Sequence, residues 1–195
     1  MVLVTSEPPA SIRSRTVAKA LPWVTTVARL VVAGVLIVAG WLKIGNPALS
    51  VRAVEAYELL PGAVATVVGY GLPILEIVVG VLLVVGLLTR IAGAISALLM
   101  LAFVIGIASA WARGLRIDCG CFGGGGELAA GEDPEYLLEI VRDFGIALLA
   151  AWITIRPPGR FALDSALGLA PDREQYDRHD DEWDADEAPG TKENG

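Results

Sequence analysis

From residue 91 to residue 112 the chain runs through 22 positions rich in Ala, Leu, Ile and Gly without one charged side chain. A helix rises about 1.5 Å per residue, so roughly 20 apolar residues cross the hydrocarbon core of a bilayer. This run fills that length in one piece, and Trp111 and Arg113 close it with side chains suited to a membrane interface. It is not alone. Residues 23–42 are interrupted only by Arg29 near one end, where the guanidinium can reach the headgroups while its stem stays in lipid. Between residues 59 and 89 the only charge is Glu76. That run is too long for one untilted crossing, so a helix is expected over residues 64–88, kinked at Pro73. A fourth candidate, residues 136–155, carries Glu139, Arg142 and Asp143 in its first half, is uncharged from Phe144 onward and stops before Pro157 and Pro158. The expectation is an all-α, integral membrane four-helix bundle.

Composition agrees. Of 195 residues, 54% are hydrophobic and 19% charged, more apolar than soluble domains usually are. The net charge of −7 resides in the tail: residues 172–195 hold ten acids and three bases, whereas residues 1–171 hold twelve of each. A neutral, apolar body lacks the basic surface that neutralises phosphates, so nucleic acid is not an expected partner. The tail cannot bury enough apolar surface to fold and reads as disordered, solvated chain. His179 lies within it, away from any site. The chain then divides into a flexible cytoplasmic N-terminus (1–21), the membrane domain (22–156) and a cytoplasmic linker with its acidic tail (157–195).

With four crossings, the cytoplasmic bias of Lys and Arg places both termini inside a plasma membrane. Arg13, Arg15, Lys19, Arg90, Arg156, Arg160 and Arg173 then lie inside, against Lys43, Arg52, Arg113 and Arg116 in the outer loops. The first apolar run exceeds a usual signal-peptide core and shows no convincing small-residue cleavage site, so it is expected to remain as a helix. In this topology the loop between the third and fourth helices faces outward.

That loop holds both cysteines, in Asp118-Cys119-Gly120-Cys121-Phe122 followed by Gly123 to Gly126. Two thiols and no nearby histidine cannot complete a four-ligand zinc site, unless a second copy supplies two more thiolates. The other reading is a redox pair. One intervening residue makes a small disulfide ring, and an extended backbone would hold the two α-carbons near or beyond bridging distance. The backbone must turn sharply, which Gly120 permits. Strain makes such a bond easy to reduce, as suits a labile disulfide. A fixed disulfide or two idle thiols is the plain alternative. No Walker lysine follows the glycines, so phosphate binding is not indicated and the loop reads as mobile.

Ionisable groups inside apolar spans are costly and therefore candidates for function. Arg142 and Asp143 fall about two turns down the fourth helix, beneath the cysteines, and Glu76 falls near mid-membrane. An ion pair of Arg142 with Glu76 or Asp143 would lower the charge cost. Such a pair can be purely structural, or it can favour a thiolate and carry its proton.

The chain resembles the MauE branch of the DoxX-like small membrane proteins. The likeness rests on Gly40-Trp41-Leu42-Lys43, Leu72-Pro73-Ile74-Leu75-Glu76 with Gly80 and Gly86, Cys119-Gly120-Cys121-Phe122-Gly123, and Arg142-Asp143. The cysteine segment is the most specific part. The resemblance covers roughly residues 22–156 and implies a four-helix bundle that assists redox maturation of exported proteins. The family takes its name from methylamine dehydrogenase maturation, and nothing in this chain identifies methylamine as its business.

The leading expectation is a thiol–disulfide relay in which Cys119 and Cys121 act, supported by Lys43, Glu76, Arg142 and Asp143. Its partner would be an extracytoplasmic thioredoxin-like or disulfide-containing protein. A quinone suits such a bundle as membrane carrier, although no residue specifies one; no metal is expected. Two rivals remain: a non-catalytic scaffold or assembly subunit for an envelope oxidoreductase, and a small transporter using Glu76, which would need a homo-oligomer to form its pathway.

Overall fold

The computed structural model describes residues 12–128, 131–156, 159 and 161–169. The expected disordered tail, with His179 and Arg173, lies outside them, as does Arg160. Eight elements follow in chain order: α1 (Ile12–Ile44), α2 (Pro47–Ala56), α3 (Gly62–Val85), α4 (Thr89–Ala112), β1 (Ile117–Asp118), β2 (Gly126–Glu127), α5 (Tyr136–Ile155) and α6 (Leu163–Ala166). The chain is mostly helical. Among the described residues, three helices are long and apolar enough to cross a membrane: the Leu21–Ile44 part of α1, α3 and α4. α5 is apolar but carries three charges in its first half.

Small residues set the packing, as expected where helices associate without a hydrophobic drive. A Cβ at Gly40 would stand 2.7 Å from Ile77 and from the Pro73 carbonyl, and one at Gly80 would stand 2.7 Å from Ile37. These close approaches seat α1 antiparallel on α3. α4 and α5 meet similarly at Gly93, against Thr154 and the Ala150 carbonyl. The core between the helices is built from Val32, Leu36, Val79, Leu83, Met100 and Ile153. Large apolar side chains such as Val67, Leu98, Leu148 and Ile155 point outward, the pattern of a surface that meets lipid rather than water.

α2 was not expected from the sequence, and it explains the architecture near the cysteines. Gly40, four residues before the end of α1, lies opposite Pro73, eleven residues after the start of α3. At ~1.5 Å per residue, α1 therefore stops about 10 Å short of the α3 start. α2 fills that notch: Asn46 caps it by accepting from the Leu49 N–H, Pro47 opens it, and Val51 packs on Gly69. α1 also begins earlier than the apolar run suggests, taking in residues 12–20, which show no helical pattern of their own.

At the opposite end α6 closes the bundle. Asp164 accepts from the backbone N–H groups of Leu88 and Thr89 at 2.7 and 2.8 Å, capping α4 where no residue of the helix does so. Burial alone would raise the Asp164 carboxyl, but the hydrogen bonds from Thr89 and Leu88, helped by Arg29, hold it below the usual carboxylate range.

Candidate functional site

The segment from Cys119 to Gly125 is a loop pinched by β1 and β2, with Ile117 opposite Glu127 and Asp118 opposite Gly126. Asp118 Oδ1 accepts from the Gly120 N–H at 2.9 Å, fixing the turn between the cysteines. Gly120 has φ +68°, a left-handed conformation that an L side chain resists. A Cβ there would also stand 2.6 Å from that of Ala53 on α2. Gly123 lies against Leu42 at the end of α1. The glycines thus serve close packing, and the expectation of a loose loop gives way to one folded down onto α1 and α2. Cys119 is 7% exposed and Cys121 6%.

Two tyrosines anchor this fold-back. Tyr57, just beyond α2, donates to the Cys119 carbonyl at 3.0 Å. Tyr136, at the start of α5, accepts from the Ile117 N–H at 3.0 Å and donates to the Leu115 carbonyl at 2.6 Å. Burial and the neighbouring cysteines and acids push the Tyr57 hydroxyl well above its ordinary pKa, so it stays a donor. Neither tyrosine stood out in the sequence, because each acts through one hydroxyl on a distant backbone.

Both cysteines are free thiols. The Cys121 N–H points at Cys119 Sγ from 3.3 Å, and Arg142 Nη2 lies 3.9 Å from the same sulfur. Cys121 Sγ instead faces Asp143 Oδ2 at 3.7 Å and the Cys119 carbonyl at 4.0 Å, both acceptors for its proton. A hydrogen bond to the Cys119 side chain, followed by burial, pushes the Cys121 thiol up. Arg142 Nε donates to Asp143 Oδ1 at 2.9 Å, and its guanidinium stacks 4.7 Å from the Phe122 ring. The spacing of α5 thus lays a cation on one sulfur and a carboxylate on the other.

Of the two pairings expected for Arg142, the one with Asp143 forms. Glu76 takes Lys43 instead, at 2.6 Å and with both side chains buried. Lys43, counted as an outer-loop cation from sequence, is in the last turn of α1 and turns inward, over the Phe103 ring. The signal for this pair was the cost of Glu76 in an apolar helix; which cation answered it depended on where α1 stops.

Glu139, unremarked in the sequence beyond its charge, completes the surroundings. Its carboxylate, the Asp118 carboxylate and Cys119 Sγ lie within 4.8 Å of one another. Three such donors resemble a metal cradle, yet Arg142 already sets a cation against that sulfur and Asp118 is bound to Gly120. A divalent ion would have to compete with both.

The architecture and the buried thiol pair now meet the comparison with known families. The family model described as methylamine utilisation protein MauE matches residues 21–156. The chain belongs to the MauE family. The matched span holds the three membrane-length helices, α5 and every residue of the cysteine site. No curated protein and no solved structure matches the chain.

Proposed function

We propose that this MauE family member is a thiol–disulfide relay of the plasma membrane, with Cys119 as attacking sulfur and Cys121 as resolving thiol. One observation carries the reading: adjacent residues of α5 treat the two sulfurs oppositely. The Arg142 cation and the Cys121 N–H favour a thiolate on Cys119, the reactive form, with the Glu139 and Asp118 carboxylates beside that sulfur able to take its proton, while Asp143 receives the Cys121 proton. In the direction that reduces the partner, Cys119 loses its proton and attacks one sulfur of a partner's disulfide. A Cys119–partner bond forms, and the partner's other sulfur leaves as a thiolate and takes up a proton. Cys121 then gives its proton to Asp143 and attacks Cys119. The intramolecular disulfide forms, the second partner thiol leaves, and two electrons have moved to the partner. The reverse sequence, starting from the Cys119–Cys121 disulfide, oxidises the partner's thiols.

The same reading makes α5 a fourth crossing. Its charged residues turn toward the cysteines, while Leu137, Leu138, Val141, Phe144 and Leu148 form an exposed apolar face suited to lipid. Both termini are then cytoplasmic and the cysteine loop opens outward, toward a thioredoxin-like or disulfide-containing exported protein. Phe122, 38% exposed and stacked on Arg142, is the outer cover of the pair, so exchange begins with that contact opening.

The test is trapping in intact cells. In Cys121→Ser, Cys119 attacks but nothing resolves it, so a mixed disulfide with the partner accumulates on non-reducing gels; in Cys119→Ser none forms. If neither variant traps a partner while both still fold and assemble, the relay is wrong and a scaffold role stands in its place.

A further inference from the structure

The charges around Cys119 are uneven. Three carboxylates, Asp118, Glu139 and Asp143, gather about the two sulfurs, with the Arg142 guanidinium set among them. A thiolate on Cys119 would add a fourth anion. Most of the surrounding groups are already committed. Asp118 Oδ1 accepts from the Gly120 N–H at 2.9 Å and holds the turn, and Asp143 accepts from Arg142 Nε through Oδ1 and faces Cys121 through Oδ2. Tyr57, at the end of α2, donates to the Cys119 carbonyl, and Lys43 on α1 is bound to Glu76. Glu139 differs from all of these. Its carboxylate hydrogen-bonds with the Cys119 thiol, yet its Oε2 is closed off from water and receives no hydrogen bond from the described residues.

The two ends of this contact are unequally prepared for negative charge. Cys119 Sγ meets the Cys121 N–H at 3.3 Å and Arg142 Nη2 at 3.9 Å, and hydrogen bonds to a charged form favour that form. A charged Oε2 would instead be a buried acceptor left without a donor, which costs more than the neutral acid.

We infer that Cys119 and Glu139 share one proton, which rests on Glu139 Oε2 while the sulfur is a thiolate, so that Glu139 is the acid–base partner of the attacking cysteine. The inference rests on Cys119 being the attacking sulfur and separates the two carboxylates beside it: Glu139 carries the proton, and Asp118 holds the loop. Ionisation breaks the Cys119 S–H bond and forms an O–H bond on Glu139. Thiol and carboxylate become thiolate and carboxylic acid, with total charge unchanged and no electrons moved. Once Cys119 has formed the mixed disulfide, the negative charge lies on the partner's leaving sulfur, and the Glu139 proton neutralises it. The proton thus belongs to the pair rather than to either residue.

Infrared spectroscopy tests this on the full chain, reduced and held in lipid nanodiscs at neutral pH, with a chelator to keep metal ions from the cluster. A carboxylic acid shows a carbonyl stretch that a carboxylate lacks, and a thiol shows an S–H stretch that a thiolate lacks. The wild type should show the acid band and the S–H stretch of Cys121 alone. Glu139→Gln should lose the acid band. Cys119→Ser should lose it too, because a hydroxyl cannot hold the negative charge and Glu139 then ionises near Arg142. Arg142→Met, which takes a donor from the sulfur, should add a second S–H stretch beside that of Cys121.

Loss of the band in both Glu139→Gln and Cys119→Ser supports the shared proton. A band that survives in Cys119→Ser makes Glu139 an ordinary buried acid, and one untouched by Glu139→Gln belongs to another carboxyl. A wild type without the band, or with two S–H stretches, leaves the proton on sulfur. Each of these results overturns the inference. If Glu139→Gln does not fold, the comparison with Cys119→Ser decides alone. Trapping in Cys121→Ser reports the relay separately: a trapped partner without the acid band refutes this inference alone, and the band without a trapped partner refutes the relay alone.

Discussion

Gly120→Ala tests whether the cysteine loop is docked on α2, the contact on which the site depends. Two costs can be worked out. At φ +68° an alanine bears about 1–2 kcal/mol of left-handed strain. Its Cβ would also stand 2.6 Å from that of Ala53, an overlap that crowding of a packed core prices at about 1–3 kcal/mol. The sum, about 2–5 kcal/mol, is weighed against docking of one loop rather than the whole fold, so the loop lifts before the bundle unfolds. Each ~1.4 kcal/mol multiplies the open population by ten, so alkylation of the two cysteines should accelerate by at least about 30-fold while thermal unfolding in detergent moves less. Ala53→Gly separates the two costs. It removes the methyl that Gly120→Ala strikes, leaves the backbone strain, and adds about 0.5–1 kcal/mol for a glycine within α2. The double variant should therefore be better docked than the sum of the two singles predicts, by about 1–3 kcal/mol. Strict additivity would show that residues 53 and 120 do not touch, and the buried site would have to be abandoned.

Three further outcomes follow from other contacts. Replacing Lys43 alone by Met strands a buried carboxylate and should cost about 3–5 kcal/mol in thermal or denaturant unfolding, whereas Lys43→Met with Glu76→Leu should recover most of it; equal loss in both would mean that the charges are not paired. Tyr136→Phe leaves the Ile117 N–H and the Leu115 carbonyl without their partner, at about 1–3 kcal/mol, and should raise cysteine alkylation more than it lowers the midpoint of global unfolding. Asp164→Ala removes the α4 cap, costing about 1 kcal/mol at pH 7. Because the folded carboxyl is held below its usual value, that contribution is full above pH ~4 and fades as pH falls through the folded value. The stability gap between wild type and Asp164→Ala should therefore narrow in acid; a gap that widens would refute the capping role.

The long helices were legible because burial in lipid is written in one dimension, as runs without charge. The 22 uncharged residues from 91 to 112 fall inside α4, and the charge pattern over residues 136–155 matches the extent of α5. What the sequence did not show is set by depth and by facing. α2 holds Arg52 and Glu55 beside Val51 and Ala53, a mixed pattern that reads as loop until one knows that α1 stops about 10 Å early and leaves a notch to fill. Lys43 reads as a loop cation for the same reason. The cysteine loop misled in the opposite direction. Consecutive glycines look like freedom when taken alone, but against Ala53 and Leu42 they are the residues that let the backbone come close.

The charges of α5 join the two levels. A helix meant only to span would gain from losing Glu139, Arg142 and Asp143, since each is costly in an apolar setting. Here they occupy the turns that face Cys119 and Cys121, while the exposed positions among and beside them are Leu138, Val141 and Phe144. Of the three, Arg142 and Glu139 lie against Cys119 and Asp143 against Cys121, so the cation meets one thiol and not the other. Under the proposed relay this allocation has a use, because the arginine then acts on the attacking sulfur and the Asp143 carboxylate on the resolving one. It follows that Arg142→Met should affect trapping of a partner by Cys119 far more than assembly of the protein in the membrane. The reverse order, assembly lost with trapping efficiency per folded molecule preserved, would return α5 to a structural role.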